Sequence, residues 1–186
     1  MGFKLSAAIA GLCIWTAAPA LAQDQSTNRV AAKTDWSVFT ENEPKECWAV
    51  SAPKKTVNTR DGAVVSAKRS DILLMVFFRP GDGVKGQVAF TGGYPFAPNK
   101  SVNLNIGGTE FELFAPTENN PATPLDDREW AWPASPGDDL KIITAMKRGS
   151  DAVLTAQSAR GTQTKDSFSL LGFTAAVEDA EKRCAG

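Results

Sequence analysis

The stretch TKDSFSLLGFTAAVEDAEKRC, residues Thr164–Cys184, decides how the rest of the chain has to fold. It joins a short strand pattern, a glycine and a segment with the 3.6-residue periodicity of an amphipathic helix. The apolar residues of that segment fall on one helix face, at Phe173, Ala176, Val177, Ala180 and Cys184. Because such a face must be covered, we expect the closing helix to dock on a core made by the earlier part of the chain.

The same stretch resembles the terminal motif of the invasion-associated locus B family of exported bacterial proteins. In that motif a Ser-Leu-x-Gly-Phe-x-x-Ala segment precedes a short helix and a late cysteine. The corresponding residues here are Ser169, Leu170, Gly172, Phe173 and Ala176. The opening Asp35-Trp36-Ser37-Val38 and the N-terminal segment add to the similarity. The resemblance implies an envelope or secreted protein associated with host-cell interaction.

Residues 1–22 have the pattern of a secretory signal peptide. One basic residue, Lys4, precedes an apolar run, and Ala20-Leu21-Ala22 is a small-residue cleavage site. The run is short for a membrane-spanning helix, which needs about 20 apolar residues. We expect cleavage to remove Cys13 and leave a flexible leader, residues 23–34, before a single β-rich domain, residues 35–186. The predicted location is periplasmic or secreted, with no membrane span after cleavage.

Cleavage would leave two cysteines, Cys47 and Cys184, in an oxidising compartment. We predict a disulfide between them, which would clamp the closing helix to an early strand. A cysteine on the apolar face of a helix points inward, which favours a bond within the chain. A covalent dimer is the alternative.

The rest of the sequence has the patterns of β structure. ILLMVFF, residues 72–78, is an apolar run ended by Arg79-Pro80-Gly81, which favours a buried strand over a helix. Alternating residues on both sides of Gly107-Gly108 predict a hairpin. Ser135-Pro136 and Gly149 mark the start and stop of a short helix. With about eight strands at this spacing, the sequence predicts a mainly β fold, an antiparallel sandwich or barrel-like domain.

Composition excludes several classes of function. The chain has no histidine, so it lacks the commonest zinc ligand and every Ser-His or Cys-His nucleophile. Its net charge of −1 gives no electrostatic footprint for nucleic acid. Asp71 and Asp82 lie near glycines but match no calcium-loop spacing. We predict no cofactor and no metal site.

One cluster of acids could support catalysis. Asp126, Asp127 and Glu129 precede Trp130 and Trp132, as a hydrolase acting on glycans or peptides would need. The alternation of residues at this point also fits a strand with acids on its wet face and tryptophans on its dry face. The sequence favours this second interpretation, so no catalytic residue is predicted.

Two aromatic segments, Tyr94–Pro98 and Trp130–Pro133, contain prolines that make them unsuited to a central strand. We predict that they expose a binding surface made of Tyr94, Phe96, Trp130 and Trp132. Packing over an edge of the core is the alternative. The predicted function is non-enzymatic binding of an envelope or host protein or glycan. The sequence does not distinguish this function from that of an inhibitor or assembly protein of the envelope.

Overall fold

The computed structural model describes residues 28–123 and 125–185, in which twelve strands and two helices form. The strands are β1 (Arg29–Lys33), β2 (Trp36–Asn42), β3 (Lys45–Ser51), β4 (Lys55–Arg60), β5 (Ala63–Val64), β6 (Leu73–Arg79), β7 (Val84–Thr91), β8 (Val102–Ile106), β9 (Thr109–Leu113), β10 (Trp130–Ala131), β11 (Asp151–Gln157) and β12 (Gln163–Ser169). The helices are α1 (Pro136–Arg148) and α2 (Phe173–Ala185). The expected signal peptide, residues 1–22 with Cys13, lies outside the described residues.

The strands form two six-stranded antiparallel sheets that share one hydrophobic core. The first has the order β1-β2-β3-β6-β7-β10, and the second β5-β4-β12-β11-β8-β9. Phe90 of the first sheet meets Phe168 of the second edge to face, with 6.2 Å between ring centroids. Over the described residues neither sheet closes on itself. The predicted mainly β fold is therefore confirmed, as a sandwich and not a barrel.

The clearest strand patterns in the sequence correspond to strands in the structure. The apolar run at residues 72–78 supplies β6, which lies inside the first sheet between β3 and β7. In the second sheet, Gly107 and Gly108 both have positive φ, at 57° and 89°, and connect β8 to β9. Asp61 and Gly62 likewise have positive φ and connect β4 to β5. Each hairpin follows from residues that tolerate this backbone conformation.

Helix α1 begins and ends as its sequence predicts. The Ser135 hydroxyl accepts a hydrogen bond from the Asp138 backbone N–H, and Pro136 is the first helical residue. Inside the helix, the buried Asp139 carboxylate accepts a hydrogen bond from the Val88 backbone N–H at 2.7 Å. This bond ties the helix to β7.

Helix α2 covers the inner face of the first sheet near β2 and β3. All five residues of its predicted apolar face are buried: Phe173, Ala176, Val177, Ala180 and Cys184. The Phe173 ring meets the Trp36 ring edge to face at 4.8 Å. Cys184 is joined to Cys47 of β3 in a disulfide, so the predicted pairing is present in the structure. Within the described ranges, no helix is long and apolar enough to cross a membrane.

The glycine before α2 is required by a close approach of two backbones. Gly172 has φ of +90°, and a Cβ atom there would collide with the Lys33 carbonyl oxygen of β1. Only glycine meets both conditions. This glycine lets the last strand turn directly into the helix that covers the core.

Two expectations about the strands need correction. The flexible leader does not extend to residue 34, because residues 29–33 form β1 and pair with β2. The chain also has more strands than the eight expected. The additional strands are short or polar and lie mostly at sheet edges, where one side of the backbone needs no partner and side chains need not be apolar.

Candidate functional site

The two aromatic segments lie side by side, but they do not form the exposed surface that the sequence predicts. Phe96 is only 5% exposed, with its ring 5.9 Å from that of Phe90 and 5.3 Å from that of Tyr94. Its backbone N–H donates to the Arg128 carbonyl oxygen at 2.9 Å. The prediction of an exposed Phe96 is wrong, because its backbone pairs with Ser158 and its side chain packs into the core.

The two tryptophans lie in β10 and directly after it. Trp130 lies in β10 and pairs with Thr91 of β7. The Trp132 backbone exchanges two hydrogen bonds with Phe114, of 2.8 and 3.0 Å, just after β9. Both tryptophan side chains are partly buried. Their role in binding stays a prediction.

The three candidate carboxylates have different environments. Asp126 accepts two hydrogen bonds from the Arg128 guanidinium, at 2.9 and 2.6 Å, which lowers the pKa of that carboxyl. Asp127 accepts from the Thr123 hydroxyl at 3.1 Å. Burial, and then repulsion from Asp126, raise the pKa of Glu129. The expected strand of alternating acids is a 3-10 turn at this point, capped by Asp126.

Glu129 and Tyr94 line a cleft of about 500 Å³ at one end of the second sheet. Its floor includes Tyr94, Thr164 and Arg69, while Arg60, Lys68 and Arg160 line it from exposed positions. None of these last three cations forms an ion pair with a described residue. We name Arg60, Lys68 and Arg160 the basic rim.

Strand register explains how the basic rim assembles from distant parts of the chain. β4 pairs with β12 so that Thr59 lies opposite Gln163, which brings the end of β4 beside the start of β12. Arg60 then donates a hydrogen bond to the Thr162 hydroxyl at 2.6 Å. Arg160 occupies the turn between β11 and β12, and Lys68 comes from the segment after β5.

The floor is held by a buried ion pair. Arg69 donates two hydrogen bonds to the Asp166 carboxylate, at 2.8 and 2.5 Å, and the side chains are 5% and 0% exposed. Arg69 also donates to the Gly92 carbonyl oxygen at 2.8 Å and to the Asn58 side-chain oxygen at 3.3 Å. A guanidinium with this many acceptors has a single orientation. The pair fixes β4, β12 and the loop after β7 relative to one another.

Tyr94 is fixed between this ion pair and the second sheet. The Arg69 guanidinium lies 5.0 Å from the centre of the tyrosine ring. The Tyr94 hydroxyl shares a hydrogen bond of 2.5 Å with the Thr164 hydroxyl. Burial of the phenol raises the pKa of Tyr94 to about 12. The floor of the cleft is therefore held in place by hydrogen bonds and partly aromatic, and the charge of Arg69 is balanced by that of Asp166.

The charged side chains that line this cleft are mostly cations. Apart from the neutralised Arg69–Asp166 pair, it contains three cations and one carboxyl group, that of Glu129. Nowhere in the described ranges do three or more carboxylates or cysteines gather as metal ligands would. The basic rim was missed in the sequence because its members come from three segments. The available signal was the basic, polar run at residues 53–69, which looks like an ordinary solvated face.

Comparison with known proteins bears on the fold and on the C-terminal part. The model of the family described as "Invasion associated locus B (IalB) protein" matches residues 134–181. That range includes α1, β11, β12 and most of α2, and it contains Arg160 but not Arg60 or Lys68. No curated protein matches the chain.

A solved structure is similar over most of the chain. It is the crystal structure of invasion associated protein b from Bartonella henselae, with a TM-score of 0.50 and 18% sequence identity. The match covers 81% of this chain and 94% of the Bartonella chain. At this identity the similarity concerns the fold alone. The resemblance of this chain to the invasion associated locus B family, first indicated by its C-terminal motif, is thus confirmed by the family model over residues 134–181 and by a shared fold.

Proposed function

We propose that this protein is exported and acts without catalysis, by binding a partner of the bacterial envelope or of a host cell in the cleft beside Tyr94. The name of the Bartonella henselae protein, invasion associated protein b, supports a role in host-cell interaction. The N-terminal segment supports export. A disulfide between Cys47 and Cys184 supports an oxidising destination, either the periplasm or the medium.

The observation that carries the binding function is the contrast between the floor and the rim of the cleft. The floor is fixed by buried hydrogen bonds, whereas the rim presents charged side chains that have no carboxylate partner in the described part of the chain. A rigid base with unsatisfied groups around it is what a small-molecule or side-chain binding site needs. Its volume of about 500 Å³ lies within the usual range for such sites, roughly 300–1,000 Å³.

A hydrolase that uses Asp126, Asp127 or Glu129 is less well supported. Glycoside hydrolysis needs two carboxyl groups facing the same bond. Of the three acids, Glu129 alone lines the cleft, and Asp126 is neutralised by Arg128. Loss of a measured hydrolytic activity in Glu129→Gln, with stability and binding intact, would reject the non-enzymatic function.

Filling the cleft tests the binding function without altering charge. Ala67 and Ala159 are exposed and line the cleft, so Ala67→Trp or Ala159→Trp should block it while leaving the core intact. Ala175→Trp on α2 is a matched control, because Ala175 is exposed and does not line the cleft. We expect partners recovered by cross-linking from envelope or host-cell fractions to be lost in the first two variants and retained in the control. Retention in all three would reject the cleft as the binding site.

Export is tested separately. Mature protein should begin at Gln23 and fractionate with periplasm or medium. Detection of the Met1–Ala22 segment on membrane-bound protein would contradict the proposed address.

A further inference from the structure

We infer that the cleft beside Tyr94 takes a small anionic ligand that carries at least two oxyanion charges, such as two phosphate, sulfate or carboxylate groups. This inference rests on the proposed binding function and names the chemical class of the ligand. Its basis is the basic rim, Arg60, Lys68 and Arg160, placed around a fixed floor.

The basic rim is unusual within this molecule. Acidic residues outnumber basic ones, 21 to 20, and several arginines outside the rim are already paired with carboxylates. Arg79 pairs with Glu46, Arg128 with Asp126 and Arg183 with Asp179. Around one concave site, three cations that have no carboxylate partner among residues 28–123 and 125–185 therefore give a local positive potential that opposes the overall charge.

The geometry of the rim favours oxyanions. Arg60 is oriented by its hydrogen bond to the Thr162 hydroxyl, which leaves other N–H groups of the guanidinium available. A guanidinium binds phosphate, sulfate or carboxylate through two parallel hydrogen bonds, and a lysine adds a mobile point charge. Three cations around about 500 Å³ match a ligand with more than one negative charge better than a single carboxylate.

The floor adds selectivity of another kind. Arg69 is neutralised by Asp166, and Tyr94 stays protonated at neutral pH, so neither supplies net charge. Glu129 adds a like charge for any anion. The ligand is therefore attracted by the rim and limited in size by the floor, while Glu129 weakens its binding.

Calorimetric titration of the purified protein with inorganic pyrophosphate and with citrate tests the inference, with glucose as a neutral comparison. We expect saturable binding of at least one anion and none of glucose. Lys68→Glu and Arg160→Glu should each weaken that binding about tenfold, since they reverse a charge close to the ligand. Glu129→Gln should strengthen it about threefold, a gain that structural damage would not produce.

Matched controls separate the cleft from the general charge of the protein. Arg148→Glu and Lys85→Glu make the same charge changes at exposed positions that do not line the cleft. They should change the affinity less than twofold. Equal losses in rim and control variants would overturn the inference, as would binding of glucose as tight as that of the anions.

The source of the anionic group is distinguished by vesicles. Vesicles that contain cardiolipin, whose headgroup carries two phosphates, are compared with vesicles of phosphatidylcholine and report a lipid ligand, whereas pyrophosphate and citrate report a soluble ligand. Binding in either arm that depends on Lys68 and Arg160 supports the inference and assigns the source. Absence of such binding in both arms overturns it. If cleft-filling Ala67→Trp still abolishes partner recovery, the proposed function stands and only the ligand class is wrong.

Discussion

The buried pair Arg69–Asp166 allows a stability prediction in which burial is the variable that matters. Replacing Asp166 with Ala would leave the Arg69 guanidinium, 5% exposed, with the Gly92 and Asn58 oxygens as its remaining acceptors. Replacing Arg69 with Met would leave the Asp166 carboxylate, 0% exposed, without either of its two hydrogen bonds from Arg69. An uncompensated buried charge costs about 3–5 kcal/mol, so each single variant should lose that much of its free energy of unfolding.

The double variant Arg69→Met/Asp166→Leu should lose less than the sum of the two. It contains neither charge, and its main cost is the Gly92 carbonyl oxygen left without a donor, about 1–3 kcal/mol. The exposed pair Arg128–Asp126 is a matched control, because it also has two guanidinium–carboxylate hydrogen bonds but its side chains are 43% and 26% exposed. Arg128→Met should therefore hardly change the stability.

Urea denaturation followed by the fluorescence of Trp36, Trp48, Trp130 and Trp132 measures these differences. With a stability of about 5–15 kcal/mol expected for a domain of this kind, a loss of 3–5 kcal/mol is measurable. The reasoning is refuted if the double variant loses the sum of the single losses, or if Arg128→Met costs as much as Arg69→Met. Either result would mean that burial does not set the cost of breaking the pair.

Three further predictions follow from groups held inside the fold. Tyr94 is the single tyrosine, so ultraviolet titration should show a midpoint of about 12 in the folded protein and about 10 in denaturant. The stability that the protonated phenol contributes is complete below pH 10 and is lost as the pH rises through 12. A midpoint near 10 in the folded protein would contradict this. Cys184→Ser should cost up to about 5 kcal/mol, because the bond to Cys47 spans a sequence separation of 137; covalent dimers in non-reducing peptide maps would exclude the bond within the chain. Burial raises the pKa of Asp139, so this shift stabilises the fold at acidic pH and loses its effect as the pH rises through the folded pKa. At neutral pH, Asp139→Asn should be at least as stable as wild type by thermal denaturation, whereas Asp139→Ala loses the hydrogen bond from the Val88 N–H and about 1–3 kcal/mol of stability. Equal stability of the two variants would refute this.

The sequence predicted best those elements whose pattern is local and repeated. The apolar face of α2, the hairpin at Gly107-Gly108 and both ends of α1 are as predicted, because helix periodicity, positive φ and capping act within a few residues. The cysteine pairing also follows from the sequence, since the predicted cleavage of residues 1–22 leaves a single pair to join.

The elements that were missed depend on contacts between distant residues. β4 has the sequence KTVNTR, which lacks an apolar alternation and becomes a strand because β12 pairs with it. The cleft is not visible in the sequence for the same reason, because the β4–β12 pairing brings Arg60 near Arg160 and Lys68 comes from a third segment. Phe96 was misplaced because proline predicts the pairing of the backbone and says little about the direction of a side chain.

The disulfide between β3 and α2 also sets an order in time. Because the two cysteines are 137 residues apart, a chain that enters an oxidising compartment from its N-terminus delivers Cys47 well before Cys184. Until Cys184 follows, Cys47 has no disulfide partner within residues 28–185, and α2 does not yet cover the inner face of the sheet around Trp36 and Val38. The apolar face of the first strands is thus exposed for the longest time, and the core is covered only when α2 packs on it.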